Sequence, residues 1–196
     1  MPCIVQKITP EDWKTSLWSG GKTNEIVLFP ADGDYSLRRF SWRISSATVD
    51  NEESDFTPLP GFSRFISTLD QPITLTHDDS SFVLYPGAVH FFSGAEFTHS
   101  VGKCSDFNLI FNPDVCDCSM QALGFTKASP VFLESVFGKS DTNDARYVLF
   151  CKEGNCTLDG TSLQKHDTLV LTEITDCKLM TDDFCELFFI KMIHNR

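Results

Sequence analysis

The segment Asp106–Phe111 has the sequence DFNLIF, and polar and apolar residues alternate along its first half. Because successive side chains of a β-strand point to opposite faces, Asp106 and Asn108 share one face of the strand. The phenylalanines and the leucine of the segment point to the other face. This pattern predicts a strand that is apolar towards a core and carries two hydrogen-bonding groups on its opposite side.

A second segment, Trp42–Ser45, has the sequence WRIS and the same period of two. Arg43 and Ser45 therefore lie on one face, and the tryptophan and the isoleucine lie on the other. Two strands thus each offer a pair of polar groups to one side of a sheet. A buried polar group without a partner costs about 1–3 kcal/mol, so these groups need partners if they face an interior.

Most of the remaining chain also has the character of short strands. Besides Asp106–Phe111, seven segments are rich in Phe, Val and Ile and are bounded by Pro, Gly, Asp, Asn or Ser, and one of them overlaps Trp42–Ser45. They are Glu25–Phe29, Leu37–Ile44, Arg64–Leu69, Ser81–Tyr85, Tyr147–Phe150, Thr168–Leu171 and Cys185–Ile190. The 18 phenylalanines suit the inner faces of a β-sandwich or barrel, so the sequence predicts a mainly β protein.

The predicted segments recur at an offset of about eighty residues, which indicates an internal duplication. The matching segments are Arg64–Ile66, Thr74-Leu75 and Phe82–Leu84 in the first copy, and Arg146–Val148, Thr157-Leu158 and Leu169–Leu171 in the second. We therefore expect two jelly-roll-like halves with a seam near residues 112–130. Gly138–Asp144 is predicted to be a surface turn inside the second half.

One short helix is predicted near the N-terminus. Thr9 is a capping residue, Pro10 suits the first helical position, and two acidic residues follow in the first turn. Gly20 is a helix-stopping residue just past Trp18. We therefore expect a helix between these signals.

Length and charge exclude several classes of protein. The chain has 196 residues, which corresponds to one globular domain or two small halves packed as one. Its 16 basic and 27 acidic residues give a net charge of -11, and an acidic surface of this size repels phosphate backbones. Nucleic acid is therefore not expected as a partner.

No segment suggests a membrane or secretory protein. Met1–Lys7 lacks the charged-then-apolar order of a secretory signal, and no stretch approaches the roughly 18 apolar residues of a membrane span. We expect a cytoplasmic protein without a membrane partner.

The eight cysteines are predicted to be reduced thiols in the interior, with no disulfide framework. The alternative is a zinc site built from Cys116, Cys118, Cys151 and Cys156, but no Cys-x-x-Cys pair occurs and structural zinc sites favour such pairs. We therefore expect neither a metal nor another cofactor.

One histidine has a suggestive context. Pro86–His90 is similar to the second metal motif of cupin barrels, in which the first motif supplies a His-x-His pair and a glutamate. No histidine precedes His77, so at most one ligand of the usual set is present. A structural role for His90 is the favoured interpretation.

The polar pairs on the two strands favour a pocket for a small ligand, as is common at the mouths of β-barrels. An arginine presents a planar fork that fits a carboxylate, and an asparagine both donates and accepts hydrogen bonds. Trp18 or Trp42 would supply an apolar wall. The Gly20-Gly21 pair would let the backbone approach closely beside Thr23 and Glu25.

The competing interpretation of the same residues is structural. Asp106 would then form a salt bridge with Arg43 or Arg64 and stabilise the sheet. The sequence has no Gly-x-Ser-x-Gly, Walker or His-Glu-x-x-His motif that would point to conventional catalysis. Both interpretations remain open at this point.

Four separated segments occur in the order and spacing of one protein family. They are Trp18–Ile26, Phe40–Ala47, Phe56–Arg64 and Asp106–Ile110. From Trp18 to Asn112 the chain resembles the HutD/Ves family on these motifs, and Asp114–Cys116 is similar to its Ves branch.

The resemblance implies an all-β, cupin-like jelly-roll barrel or sandwich with two related halves. Residues 1–196 would form a single HutD/Ves-like unit, with one half near residues 1–112 and the other near 113–196. Some members of the family accompany enzymes of histidine degradation, where a role in binding a pathway metabolite and restraining the pathway has been suggested. Others are described as stress-induced.

The resemblance also indicates which positions belong to a pocket. In this sequence they are Trp18, Thr23, Glu25, Trp42, Arg43, Ser45, Arg64, Asp106 and Asn108.

We therefore expect a cytoplasmic cupin-like protein that binds a small polar or anionic metabolite, with a regulatory role in histidine utilisation or the stress response. Arg43 and Arg64 would hold a carboxylate, while Asp106 and Asn108 would orient a second polar group. The alternative is an isomerase or hydrolase that uses Glu25 or Asp106 as a general base. The sequence leaves homodimer formation open.

Overall fold

The computed structural model describes residues 4–78, 80–139 and 144–195, and its regular structure is almost entirely β. In the described residues the strands are β1 (Ile4–Ile8), β2 (Lys14–Trp18), β3 (Gly21–Phe29), β4 (Trp42–Val49), β5 (Glu53–Asp55), β6 (Ser63–Thr68), β7 (Ile73–His77), β8 (Ser80–Leu84), β9 (His90–Ser93), β10 (Thr98–Val101), β11 (Cys104–Phe111), β12 (Cys116–Phe125), β13 (Ser129–Phe132), β14 (Ala145–Leu158), β15 (Thr161–Leu163), β16 (Thr168–Leu171) and β17 (Lys178–His194). A short helix, α1 (Leu133–Phe137), follows β13. The prediction of an all-β protein is confirmed, and each of the eight predicted strands overlaps an observed one.

The chain divides into two compact units. The N-terminal unit is Trp13–Cys116, and the C-terminal unit comprises the described residues from Asp117 onward together with residues 4–12. Residues 4–12 join the C-terminal unit because β1 pairs antiparallel with β16. The sequence predicted that these residues belong to the first half, near residues 1–112, but their pairing with β16 assigns them to the C-terminal unit.

Two antiparallel sheets build the N-terminal unit. The larger has the strand order β2-β3-β4-β11-β6-β9, and the smaller has the order β5-β10-β7-β8. Apolar side chains from the two sheets form one cluster, which includes Val49 and Ile66 from the larger sheet and Leu75 and Leu84 from the smaller. The N-terminal unit is therefore a β-sandwich with a shared core.

The C-terminal unit has a single sheet in its described residues, with β1-β16-β14-β17-β12 as its main path. Strand β13 pairs with β17 and β15 pairs with β14, so the long strands β14 and β17 hold the sheet together. Its buried core is apolar and includes Leu149, Leu187 and Phe189.

The predicted N-terminal helix is wrong in extent. Only a single 3-10 turn, Pro10–Asp12, forms, and the Asp12 carboxylate accepts hydrogen bonds from the Thr9 amide at 2.8 Å and hydroxyl at 3.0 Å. The following residues form β2, which pairs with β3 as a hairpin. All five residues of β2 are exposed, so a helix there would have had no buried face to stabilise it.

The predicted strand Leu37–Ile44 is also too long, because β4 begins only at Trp42. The Asp34 carboxylate accepts hydrogen bonds from the Ser36 hydroxyl and the Leu37 amide, which holds residues 34–39 in a turn.

No sheet closes into a barrel within the part of the chain that the structure describes. The common origin of the two halves stays a prediction from the sequence. Most of the predicted turn Gly138–Asp144 lies outside the described residues. In the described ranges no helix has the length and apolar character needed to cross a membrane.

Candidate ligand-binding cavity

A cavity of about 320 Å³ lies in the N-terminal unit and is lined by residues of both sheets. This volume falls within the range of sites for small organic molecules. Strands β3, β4, β6 and β11 of the larger sheet supply most of its polar groups.

The register of the larger sheet explains why these groups converge. On β11, Asn108 lies opposite Ser45 of β4, and Ile110 lies between Arg43 on β4 and Arg64 on β6. Residues that are directly opposite in neighbouring strands share a face. The alternation seen in the sequence therefore becomes one polar surface that spans three adjacent strands.

Arg43 is a buried cation whose charge is already balanced. Its Nε donates a hydrogen bond to Glu25 Oε2 at 2.8 Å, and its Nη1 donates one to Ser45 Oγ at 3.1 Å. The guanidinium carbon also lies 4.2 Å from the centre of the Tyr35 ring, a cation–π contact. The ion pair with Glu25 fixes the side chain at the cavity wall.

Arg64 is a buried cation of a different kind, with 8% of its surface exposed. Its Nη2 donates a hydrogen bond to Asn108 Oδ1 at 3.1 Å, and its guanidinium lies 4.9 Å from the centre of the Phe56 ring. In the described ranges its Nε has no hydrogen-bond partner, and no carboxylate forms an ion pair with it. Burial lowers the pKa of Arg64.

Asp106 is the buried acid of the cavity. Its Oδ1 accepts hydrogen bonds from the Ala47 amide at 3.0 Å and from Asn108 Nδ2 at 2.7 Å. Burial raises the pKa of Asp106 to about 6, although the bond from Ala47 and the charge of Arg64 act in the opposite direction. This carboxyl group is therefore half protonated near pH 6, and at neutral pH the ionised form predominates.

Asn108 connects the two charged groups. Its amide oxygen accepts from Arg64 and its amide nitrogen donates to Asp106. The direct salt bridge between Asp106 and Arg43 or Arg64 that the structural interpretation required does not occur among the described residues. Arg43 pairs with Glu25 instead.

Seven of the nine predicted site residues line the cavity. They are Trp18, Thr23, Arg43, Ser45, Arg64, Asp106 and Asn108. Glu25 is not among the lining residues, and it acts on the cavity through its ion pair with Arg43. Trp42 lies on the opposite face of β4, where it stacks on Phe29 with ring centres 5.3 Å apart. The period of two along the strand accounts for its position away from Arg43.

Other lining residues were not identified from the sequence. They include Tyr35, which lies in the turn before β4, and Phe56 and Thr57, which follow β5. Loop positions carry no periodic signal, so Tyr35 had none in the sequence. Phe56 falls inside one of the four motif segments, which was the available signal for it.

His90, the histidine whose context is similar to a cupin metal motif, lies beside His77. His77 and His90 face each other with their Nε2 atoms 3.0 Å apart, and His77 Nδ1 lies 2.9 Å from Thr98 Oγ1. Burial lowers the pKa of both rings. No set of three or more His, Cys, Asp or Glu side chains within residues 4–78, 80–139 and 144–195 is arranged to hold a metal ion.

Solved structures of other proteins share this fold. The conserved protein of unknown function PA5104 from Pseudomonas aeruginosa PAO1 has 23% identity and a TM-score of 0.76, over 96% of this chain and 98% of that one. HutD from Pseudomonas fluorescens SBW25 has 22% identity and a TM-score of 0.76, over 97% and 99%. The bacterial pirin YhhW from Escherichia coli, solved with nickel(II), has 10% identity and a TM-score of 0.65, over 97% and 99%.

These similarities establish the cupin-like fold. No protein in the curated set matches the sequence at a significant level. The model of the HutD family matches residues 7–189, which is nearly the whole chain. The resemblance read from the four sequence motifs is therefore confirmed, and the chain belongs to the HutD family.

Proposed function

We propose that this protein binds a small carboxylate metabolite in the cavity of its N-terminal unit and acts as a regulatory binding protein in histidine utilisation. The observation that carries the proposal is Arg64, a buried arginine at the cavity wall without an ion pair among the described residues.

A buried charge normally has a partner, because removal of an ion from water is costly unless an opposite charge or hydrogen bonds replace the water. Within the part of the chain that the structure describes, Arg64 makes a single hydrogen bond through its guanidinium, to the neutral amide of Asn108. A guanidinium carries five N–H donors in a planar fork, which matches the two oxygens of a carboxylate. An incoming carboxylate would supply both the charge and the acceptors that Arg64 lacks.

The rest of the wall limits the ligand to a small molecule with a short apolar or planar body. Tyr35, Phe56 and Ile110 contribute apolar surface, and Ser45 and Thr23 contribute hydroxyl groups. The cavity of about 320 Å³ lies at the small end of the range for such sites. The HutD structure from Pseudomonas fluorescens is described for a formate condition, and formate is the smallest carboxylate.

A thermal-shift and calorimetric titration with formate, glutamate, histidine and succinate tests the proposal. A ligand at 100 times its Kd stabilises a fold by about 2.7 kcal/mol, a readily measured shift. We expect at least one of these carboxylates to stabilise the wild type and Arg64→Gln to abolish the shift.

Arg39→Gln is the matched control, because Arg39 is exposed and is not among the lining residues. Circular dichroism of each variant establishes that it is folded. The proposal fails if no carboxylate stabilises the wild type, or if the shift survives in Arg64→Gln.

The cytoplasmic location and the common origin of the two halves are parts of this proposal. The cysteines Cys104, Cys151, Cys156 and Cys185 are free thiols, which suits a reducing compartment. The antiparallel β architecture of each unit is compatible with duplication.

A catalytic function is the second candidate, and one observation favours it. Burial raises the pKa of Asp106 to about 6, and a general base works best when its pKa lies near the pH of the reaction. Turnover of the stabilising ligand, followed by NMR in the presence of wild type and of Asp106→Asn, distinguishes a catalyst from a binding protein. Product formed by the wild type and lost in the variant would favour the enzyme.

A further inference from the structure

We propose that the carboxylate ligand binds together with a proton, which Asp106 holds on Oδ2 and donates as a hydrogen bond to a ligand oxygen beside Arg64. This inference rests on the proposed function, and it assigns to Asp106 the part of a proton-bearing donor. Arg64 then supplies the charge and Asp106 supplies the proton.

The first support is that the two carboxyl oxygens of Asp106 have different hydrogen-bond partners. Oδ1 already accepts two hydrogen bonds, from the Ala47 amide and the Asn108 side chain. Among the described residues Oδ2 has no hydrogen-bond partner, although Asp106 lines the cavity. A carboxyl group that is protonated on Oδ2 keeps both bonds at Oδ1 and gains a donor for the ligand.

The second support comes from the charged and titratable groups around Asp106. Those that face the cavity or act on Asp106 are Arg64 from β6, Arg43 from β4, Asp55 from β5, Tyr35 before β4 and Cys104 on β11, and Glu25 from β3 contacts Arg43. Glu25 balances Arg43, and Asp55 contacts His99 at 2.7 Å. Arg64 is therefore the cation left to balance a ligand, and Asp106 already acts on it electrostatically.

The arrival of a ligand carboxylate would place a second negative charge beside Asp106. Two neighbouring carboxylates in a buried site favour a shared proton, because like charges disfavour ionisation of both. Burial already raises the pKa of Asp106 to about 6 against the opposing effects of the Ala47 bond and of Arg64, and the ligand would raise it further. Binding above pH 6 would therefore take up a proton from solution.

Isothermal titration of the wild type with formate at pH 7.5, in phosphate and in Tris, measures this uptake. The two buffers differ in ionisation enthalpy, so the difference in apparent binding enthalpy gives the number of protons taken up. We expect a value approaching one, and an affinity that weakens by up to about tenfold for each pH unit above the pKa of the free site.

Asp106→Asn mimics the protonated acid, because its amide oxygen replaces Oδ1 and its amide nitrogen donates in place of Oδ2–H. We expect this variant to bind formate without proton uptake and with an affinity that does not change between pH 6 and pH 8. Asp32→Asn is the matched control, since Asp32 is exposed and is not among the lining residues, and it should retain the uptake of the wild type.

The outcomes separate the two proposals. Formate binding that depends on Arg64 but takes up no proton overturns the role of Asp106 and leaves carboxylate binding intact. Absence of binding for every carboxylate overturns both. Because the proton count is made on the wild type, it does not depend on how well any variant folds.

Discussion

Asn108 is the residue that keeps the two charges of the cavity apart. Its amide accepts a hydrogen bond from Arg64 at 3.1 Å and donates one to Asp106 at 2.7 Å. An amide can do both because it carries a donor and an acceptor on one short side chain. Arg64 therefore forms no direct ion pair with Asp106, and its charge is available to an anion that enters the cavity.

The raised pKa of Asp106 leads to a prediction about folding stability. A carboxyl whose pKa rises from 3.8 unfolded to about 6 folded binds its proton more tightly in the folded state. Proton binding at Asp106 therefore stabilises the folded state at low pH, and this stabilisation is lost as the pH rises from 3.8 through about 6. Asp106→Asn has no carboxyl group to ionise, and its amide oxygen keeps the acceptor at Oδ1. We therefore expect the free energy of unfolding of this variant at pH 8 to exceed that of the wild type by on the order of 1–3 kcal/mol.

Urea denaturation of both proteins between pH 5 and pH 8 measures this difference, which should shrink towards pH 5. Asp32→Asn should show no comparable trend, because Asp32 is exposed. A wild type that is more stable than Asp106→Asn at pH 8 would contradict the argument.

At the residue scale, the alternation of polar and apolar side chains was sufficient to predict which polar residues of each strand share a face. It placed Asp106 with Asn108 and Arg43 with Ser45, since a period of two is a local property of each strand. The hydrogen-bond and ion-pair partners of these groups could not be predicted from this alternation. The pairing of Arg43 with Glu25, and the cation–π contact with Tyr35, depend on strand register and on a turn.

At the scale of elements, the β2–β3 hairpin shows why local signals mispredicted the N-terminus. The residues that suggested a helix start do form a turn, but it ends at Asp12. The residues that suggested a helix stop are the turn of a hairpin, in which Trp18 pairs with Gly21. Glycine serves both purposes, and only pairing with a distant strand, β4, decides between them.

Gly21→Ala is therefore expected to destabilise the N-terminal unit. Gly21 has a φ of 148°, and a Cβ at this position would lie 1.9 Å from the carbonyl oxygen of Thr48. The clash is with backbone, so β3 must shift against β4, and we expect a loss of about 2–4 kcal/mol in unfolding free energy. Because Trp18 and Thr23 flank this position and line the cavity, carboxylate binding should weaken as well.

Gly61→Ala is the matched control for this substitution. Gly61 also has a positive φ, of 83°, but a Cβ there meets nothing within 4 Å. Its cost should be limited to the conformational term of about 1 kcal/mol. Chemical denaturation of the two variants measures the difference, and equal losses would show that the contact with Thr48 is unimportant.

At the scale of the whole molecule, the two units differ in what their interiors contain. The N-terminal unit contains a cavity whose wall includes the buried Arg43, Arg64 and Asp106. The C-terminal unit packs a large apolar cluster instead. The repeated strand pattern in the sequence predicted β-structure in both halves. It did not predict that residues 4–12 belong to the C-terminal unit, because the pairing of β1 with β16 links segments far apart in the chain.

This asymmetry predicts one carboxylate site per chain. The core of the C-terminal unit is built from residues such as Leu149, Leu187 and Phe189, and its buried Lys152 is already paired with Glu186 at 2.6 Å. A cation that is balanced in this way lacks the unmet charge that makes Arg64 a ligand group. Calorimetric titration with the carboxylate that stabilises the protein should therefore give a stoichiometry of one.

Lys152→Met locates the site within the chain. Breaking the pair leaves the partly buried Glu186 without its cation, so the variant should lose about 1–3 kcal/mol of unfolding free energy. If binding belongs to the N-terminal unit alone, its Kd for the carboxylate should match that of the wild type at a temperature where both are folded. A stoichiometry of two, or a Kd that changes with Lys152→Met, would place part of the binding in the C-terminal unit.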